Sequence, residues 1–469
     1  MKRSILIFSI FTVLFCLLSL LSTAQQDMTR AIQESLKDNL FKSSDVSIAI
    51  YDLSAGREVY SYRSEKMCRP ASTHKLITTI TALALLGEGH TFDTQLRYTG
   101  SLTRDSVLHG DLYMVGGFDP LFKESDLDEA LSALHKAGIA RIEGKVIGDV
   151  SFADSLYWGP GWSWDDTPWY FQPYLSPLML NEGCIDITVS PTLPGEAPAV
   201  SCTPRCHFYS VDNRAVSMGA DTTQLNIMRD WVAGSNRIAV WGNCKEVTHE
   251  KMNMFPSQEF FMSLLLERMD SLRITRGGSG WGEAPATARP LYTCRRSLDE
   301  VADSALRESD NLCAESMLYH LAARSGSRHV GQKMGCAVID SFITAHFERP
   351  QSYRIVDGSG LSLYNYYPVS LMMQYLIYAH QNPAIYNALL RHLPQSGISG
   401  TLKNRMGEKG QIGKVYAKTG TVSGICTLAG YAQGKSGHTL AFVLFNQNVM
   451  KPSLARQWQN KICTLLCNY

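Results

Sequence analysis

Ser72-Thr73-His74-Lys75 opens a stretch, 73–86, whose apolar residues fall along one helical face and which stops near Gly87. At the start of a helix, positions three apart share a face, so the Lys75 amine can approach the Ser72 hydroxyl. A serine becomes a nucleophile only when a base takes its proton. A lysine serves as that base only when burial or nearby positive charge lowers its pKa. The helix N-terminus adds a positive dipole end and backbone N–H groups for a developing oxyanion. Taken alone, the same spacing also fits a serine that merely caps a helix. It is the one Ser-x-x-Lys in the chain.

Outward from that stretch, Val46-Ser-Ile-Ala-Ile-Tyr51 and Glu58-Val-Tyr-Ser-Tyr62 read as two strands joined by a turn at Ser54-Ala-Gly56. A helical pattern over 28–40 precedes them. Helical spacing returns over 298–323 and 369–379. The C-terminal part then reads as three strands, 413–418, 425–432 and 438–445, and a last helix over 452–463. Two strands near the start, three near the end and helices between them predict a mixed α/β fold. Its centre is one antiparallel sheet with helices on both sides. Between 92 and 291 the pattern changes to short strands, aromatic residues and Gly/Pro turns, which marks an insertion. Inside it, the strand patterns 112–115 and 145–150 and a helix over 126–137 suggest a small αβ unit at about 108–156.

Two further motifs bear on chemistry. Ser309-Asp310-Asn311 lies where the helical pattern 298–323 breaks and restarts. A hydroxyl there could relay a proton between Lys75 and a leaving amine, and the Asn311 amide could hold both Lys75 and a substrate carbonyl; a polar turn capping the next helix is the competing reading. Lys418-Thr419-Gly420 ends a strand, where a cation and a hydroxyl suit a substrate carboxylate and the glycine lets ligand backbone approach. Lys435-Ser436-Gly437, which mimics it, sits between two apolar strands and reads as a hairpin turn. Each motif is ordinary alone. Their order is the signature of serine β-lactamases and penicillin-binding proteins.

The N-terminus carries Lys2 and Arg3, an apolar run from Ile5 to Leu21, and the small residues Ser22-Thr23-Ala24. That pattern predicts a signal peptide over 1–24, cleaved after Ala24, with a membrane anchor as the alternative. Its removal takes Lys2 and Arg3 and no acids from 44 basic and 43 acidic residues, leaving a net charge of −1. Nothing in that balance favours nucleic acid. Cys16 leaves with the leader, so 11 of the 12 cysteines remain in an oxidising compartment. Cys184, Cys202, Cys206 and Cys244 crowd the middle of the chain and are expected to pair. Zinc competes at Cys202-x-x-x-Cys206, but no second pair with ligand spacing completes a site. No metal or organic cofactor is expected.

The chain resembles the class C low-molecular-mass penicillin-binding proteins, D-alanyl-D-alanine carboxypeptidases that also act as endopeptidases. Ser72 and Ser309 stand 237 residues apart, and this family carries two extra domains in that gap. Val115-Gly-Gly-Phe-Asp-Pro120, Gly148-Asp149-Val-Ser-Phe152, Gly161-Trp-Ser-Trp-Asp165 and Asp357-Gly-Ser-Gly-Leu-Ser362 are similar to family landmarks. Phe118 stands where a small residue is usual, and Leu363 where a basic one is. The resemblance implies a transpeptidase-like catalytic domain with a five-stranded antiparallel sheet, formed by 25–91 and 292–469, with inserted domains over 92–291. It implies Ser72 as nucleophile, Lys75 as base, Ser309 as proton relay and Asn311 as peptide holder. Lys418, Thr419 and Gly420 would bind the substrate carboxylate end. The backbone N–H groups of Ser72 and Thr421 would form the oxyanion hole, and Asp149 would contact the cleft. The substrates implied are peptidoglycan peptides, with β-lactams as inhibitors. A β-lactamase or esterase, and a catalytically silent penicillin-binding scaffold, are the rival functions.

Overall fold

The computed structural model describes residues 25–220 and 222–469. The expected leader over 1–24 lies outside the described residues. At the centre stands a five-stranded sheet that joins both ends of the chain. Its order is Val415–Val422, Gly424–Gln433, Thr439–Val449, Asp45–Asp52, Arg57–Tyr62, and every pairing is antiparallel. The register from Asp45↔Gln447 to Asp52↔Leu440 ties the first strand to the last.

Period-two alternation gives this sheet two apolar faces. Leu440, Phe442 and Leu444 pack with Val46, Ile48 and Ile50 against helix Pro452–Asn468 through Trp458 and Ile462. Ala441, Val443 and Phe445 face the other way, toward helices Lys75–Leu86, Asn311–Ala323 and Val369–Gln381. Each fully buried Val, Leu, Ile or Phe among these contributes about 1.5–3 kcal/mol. The Lys435-Ser436-Gly437 segment is the hairpin turn expected, closed by Gly434 N–H donating to the His438 carbonyl at 2.8 Å.

The insertion enters and leaves through neighbouring strands. Thr91–Tyr98 follows the first helix, Arg289–Ser297 leads into the second motif's helix, and the two pair antiparallel from Thr91↔Ser297 to Arg289↔Tyr98. A capping box then starts the next helix: the Ser297 hydroxyl accepts from Glu300 N–H, and the Glu300 carboxylate accepts from Ser297 N–H. The two strands that frame residues 99–288 therefore lie side by side. The sheet so begun has seven strands, including Leu112–Val115 parallel to Arg141–Asp149 with helix Glu124–Lys136 between them. Residues 184–253 supply two further three-stranded sheets that share one apolar core.

The expected pairing of cysteines is not what the structure holds. Cys184, Cys202, Cys206 and Cys244 are free thiols, as are the other described cysteines. Cys202 and Cys244 are buried in the core between the two small sheets and pack there as small apolar side chains. Cys184 donates to the Glu182 carbonyl and Cys244 to the Glu246 carbonyl. Burial pushes the Cys206 thiol up to about 11, so little thiolate forms to attack a partner.

Candidate active site

Ser72 sits in a 3-10 turn, Ala71–His74, that runs into helix Lys75–Leu86. Ala71 adopts φ +47°, a left-handed conformation that costs a non-glycine residue free energy and persists only where neighbours impose it. Those neighbours are specific. Thr73 Oγ1 and Thr427 Oγ1 both donate to the Pro70 carbonyl, at 2.6 and 2.7 Å. Gly360, at φ +78°, lies so near that a Cβ there would stand 2.0 Å from the Ala71 carbonyl oxygen.

Lys75 is fully buried one turn on. Its Nζ lies 3.1 Å from Ser72 Oγ, 2.6 Å from Asn311 Oδ1 and 2.8 Å from the Ser359 carbonyl oxygen. A neutral amine has two hydrogens and one lone pair. The amide and carbonyl oxygens accept the two hydrogens, which leaves the lone pair for the Ser72 hydroxyl. Burial lowers the Lys75 pKa to about 8, with the Asp357 charge acting the other way. A minority of Lys75 is then neutral at physiological pH, and more as pH rises toward 8.

The second motif reaches this amine through an irregular backbone. Helix Leu298–Asp303 widens into a π turn, Ser304–Glu308, and Ser309 then turns left-handed at φ +66°. Asp310 restarts the helix as its N-cap, its Oδ1 accepting from Cys313 N–H at 2.7 Å. The break aims Ser309 and Asn311 at the same place. Asn311 spans the site, because its Nδ2 donates to the Phe171 carbonyl of the insertion at 2.6 Å while Oδ1 holds Lys75.

Strand alternation supplies the third motif. Val415 and Ala417 face the C-terminal helix, so Lys418 and Gly420 face the nucleophile. Lys418 is fully buried, and its Nζ donates to Ser309 Oγ at 2.7 Å and to the Thr419 carbonyl at 2.9 Å. Burial, and then the nearby Lys75 charge, hold its pKa well below the usual lysine range. Thr419 Oγ1 donates to Thr401 Oγ1 at 2.8 Å. A Cβ on Gly420 would stand 2.9 Å from the Ser72 backbone nitrogen, so glycine is needed for the strand to lie against the turn. Thr421 follows on this edge strand and lines the cleft.

The cleft has a volume of about 640 Å3. Ser72, Ser309, Asn311 and Thr421 line one side, and Tyr170, Glu182 and Lys251 of the insertion face them. Lys251 pairs with Glu182 at 2.8 Å and lies 5.9 Å from the centre of the Tyr170 ring. Asp149 is not among the residues lining this cleft; it lines another cavity, and its carboxylate accepts from Ser151 and Ala284 N–H at 2.9 and 2.8 Å.

Sequence reading missed the group that holds the arrangement from beneath. Glu315 is fully buried on the same helical face as Asn311, four residues on. Its Oε1 accepts from Gly358 and Ser359 N–H at 3.0 and 2.8 Å, and its Oε2 from Gln332 Nε2 at 2.8 Å. Glu315 thereby fixes the Ser359 carbonyl that holds Lys75. Burial pushes its pKa up to about 7. The Asn311-to-Glu315 spacing was the available signal. Asp357 orders the rest of that loop, accepting from Gly360 and Ser362 N–H and, through Oδ2, from Trp162 Nε1 at 3.0 Å. The insertion therefore touches the loop that carries Ser359. Phe118, the unusual landmark residue, stacks on Tyr319 at 4.7 Å between rings and is not among the residues lining the cleft.

A half-buried serine beside a buried lysine at the start of a helix, set under the edge strand of a five-stranded antiparallel sheet, defines the transpeptidase-like fold of penicillin-binding proteins. Residues 28–469 match the model of the D-Ala-D-Ala carboxypeptidase 3 (S13) family, and the chain belongs to that family. It is 27% identical over 447 residues to a D-alanyl-D-alanine carboxypeptidase of Actinomadura sp. strain R39, covering 91% of this chain and 82% of the relative. With D-alanyl-D-alanine carboxypeptidase DacB of Haemophilus influenzae it shares 24% over 421 residues, 87% of each chain. The crystal structure of penicillin-binding protein 4 (dacB) from that organism superposes with a TM-score of 0.81 at 22% identity, over 92% of this chain and all of the other. A second structure of that protein holds a β-lactam. By family, the chain is a serine-type D-alanyl-D-alanine carboxypeptidase.

Proposed function

We propose that the chain hydrolyses the terminal D-alanyl-D-alanine bond of peptidoglycan stem peptides, and peptide cross-links of the same chemistry, through an acyl-enzyme on Ser72. The observation that carries this reading is the set of acceptors around Lys75. With Asn311 Oδ1 and the Ser359 carbonyl taking the amine's hydrogens, its lone pair is left to receive the Ser72 proton as the oxygen attacks.

The tetrahedral oxyanion would meet the backbone N–H groups of Ser72 and Thr421, beside the close approach at Gly420. The proton would travel to the leaving D-alanine nitrogen through Ser309, whose hydroxyl Lys418 holds. The substrate's terminal carboxylate would bind at the Thr419 hydroxyl, with the Lys418 amine behind it and Gly420 leaving room. Asn311 would hold the peptide from the facing side. Water then cleaves the ester. A β-lactam would acylate the same serine and leave slowly. The geometry gives no support to a cleft contact by Asp149.

We take 25–91 and 292–469 as the catalytic unit and 92–291 as the insertion. Export by a leader over 1–24 would place the enzyme in the cell envelope, where its substrate is. Release of D-alanine from a soluble peptide ending in D-alanyl-D-alanine tests the reading. The wild type is expected to release it and Ser72→Ala to fall to background; release by Ser72→Ala above background would move the nucleophile elsewhere.

A further inference from the structure

The strand that carries the third motif ends in two hydroxyls. Along Val415–Val422, the residues Val415, Ala417, Thr419 and Thr421 alternate onto the face that the C-terminal helix covers. The first two are buried. Thr419 is half-buried and Thr421 exposed, where the strand becomes a wall of the Ser72 cleft.

Helix Pro452–Asn468 passes beside the second hydroxyl. Ala455 packs with Cys426 and Val449, and Cys426 is the cross-strand partner of Thr421. The next residue, Arg456, is exposed, and its Nη2 donates to Thr421 Oγ1 at 3.4 Å. A hydroxyl that accepts this bond still has its own hydrogen to give. Among the described residues Thr421 gives it to no acceptor, and Arg456 pairs with no carboxylate.

The chain around Arg456 does not cancel its charge. From 394 to 469 the sequence has nine Lys and Arg residues and one acid, Glu408. Arg405 bonds Gln459 Oε1, Asn460 Oδ1 and the Arg456 carbonyl, all neutral oxygens. Across the cleft the sign reverses. Asp166, Glu182, Glu308 and Asp310 line it, with Lys251 the one Lys or Arg among the described lining residues. A cleft with one cationic and one anionic wall orients a ligand, drawing its anionic end toward the strand.

The buried amine of the third motif does not supply that cation by itself. Burial, and then the nearby Lys75 charge, hold the Lys418 pKa well below the usual lysine range. Its Nζ is also committed to Ser309 Oγ and the Thr419 carbonyl. A guanidinium, by contrast, stays charged and offers paired N–H groups to a carboxylate.

We propose that Arg456 is a specificity-determining residue that binds, together with the Thr421 hydroxyl, the C-terminal carboxylate of the peptide whose last bond Ser72 attacks. This rests on the proposed function and sharpens it. A threonine hydroxyl alone suits any hydrogen-bond acceptor, whereas the arginine selects an anion.

Steady-state release of D-alanine from the soluble peptide by the mature full chain tests this. Arg456→Lys, Arg456→Ala and Arg456→Glu are run alongside, with a thermal melt of each to report folding. KM should rise about tenfold in Arg456→Ala, the loss of one charge-assisted hydrogen bond. It should rise further in Arg456→Glu and least in Arg456→Lys, with kcat little changed. Raising salt from about 0.05 to about 0.5 M should raise KM of the wild type and leave that of Arg456→Ala nearly level. A residue that merely braces the fold would not produce that difference. Equal KM in all four proteins, a loss confined to kcat, or equal losses in Arg456→Lys and Arg456→Glu would overturn the proposal. If the wild type releases no D-alanine, the proposed function fails instead. The same proteins are then read by their rate of acylation by a penicillin, whose carboxylate would meet the same arginine. A rate that falls in the order wild type, Arg456→Lys, Arg456→Ala, Arg456→Glu supports the site, and one equal in all four overturns it.

Discussion

The seam between helix Lys75–Leu86 and strand Val415–Val422 treats charge in the opposite way to the exposed cluster of Asp212, Arg214, Asp230 and Arg237 on the small sheets of 184–253. In the seam, Lys75, Lys418, Glu315 and His74 are all fully buried, and burial moves each pKa toward the neutral form. His74 is pushed down to about 4, and its ring nitrogens meet the Asp357 carbonyl and Tyr367 OH. In the small sheets, Arg214 and Arg237 pair with Asp212, and Arg237 also with Asp230, on the surface. The difference teaches where the chemistry is. Charges in water keep their ordinary protonation and contribute little to stability. Charges taken out of water become usable acids and bases, and they need an exact set of partners to be tolerated.

Breaking the seam at its base should have the largest effect. Lys75→Ala leaves Ser72 without a proton acceptor, and acylation by a β-lactam should fall by about a thousandfold or more, read from stopped-flow or mass kinetics. The wild-type profile sharpens the same point. The reactive form is neutral Lys75, so the acylation rate should rise with pH and level off above about 8. Below that it should fall about tenfold per unit. A flat profile from pH 6 to 9 would contradict a lysine base.

Glu315→Ala should come next. It strips partners from Gly358 N–H, Ser359 N–H and Gln332 Nε2, all buried, and should cost about 3 kcal/mol in urea unfolding. Acylation should drop as well, because the Ser359 carbonyl is then free to move from Lys75. An unchanged rate would show that the loop holds its place without Glu315. At the small end, Arg237→Ala removes pairs from a side chain 47% exposed and should shift stability by less than about 0.5 kcal/mol. A large loss there would break the contrast between the two regions.

Much of the catalytic half was legible. Strands alternate with period two and helices with 3.6, so the sheet from both chain ends and the helices beside it could be read locally. The three motifs could be read too, because each is a short run at a fixed place on an element. What escaped depends on contacts between distant residues. No local pattern places the Ser359 carbonyl on Lys75, or the Phe171 carbonyl on Asn311. The cysteines are a similar case: crowding in sequence does not decide whether thiols pair, and here they stay free, with Cys202 and Cys244 packed in the apolar core. Asp149, assigned to the cleft by resemblance, instead braces the Ser151 and Ala284 backbone at a separate cavity.

The most direct test of the central claim, that Ser72 is the acylated nucleophile, is the intact mass of the mature protein followed after mixing with a penicillin, with Ser72→Ala alongside. The wild type should gain one drug mass that persists, and the variant should gain none. An adduct of equal extent on Ser72→Ala, or none on the wild type while the drug stays intact, would contradict it.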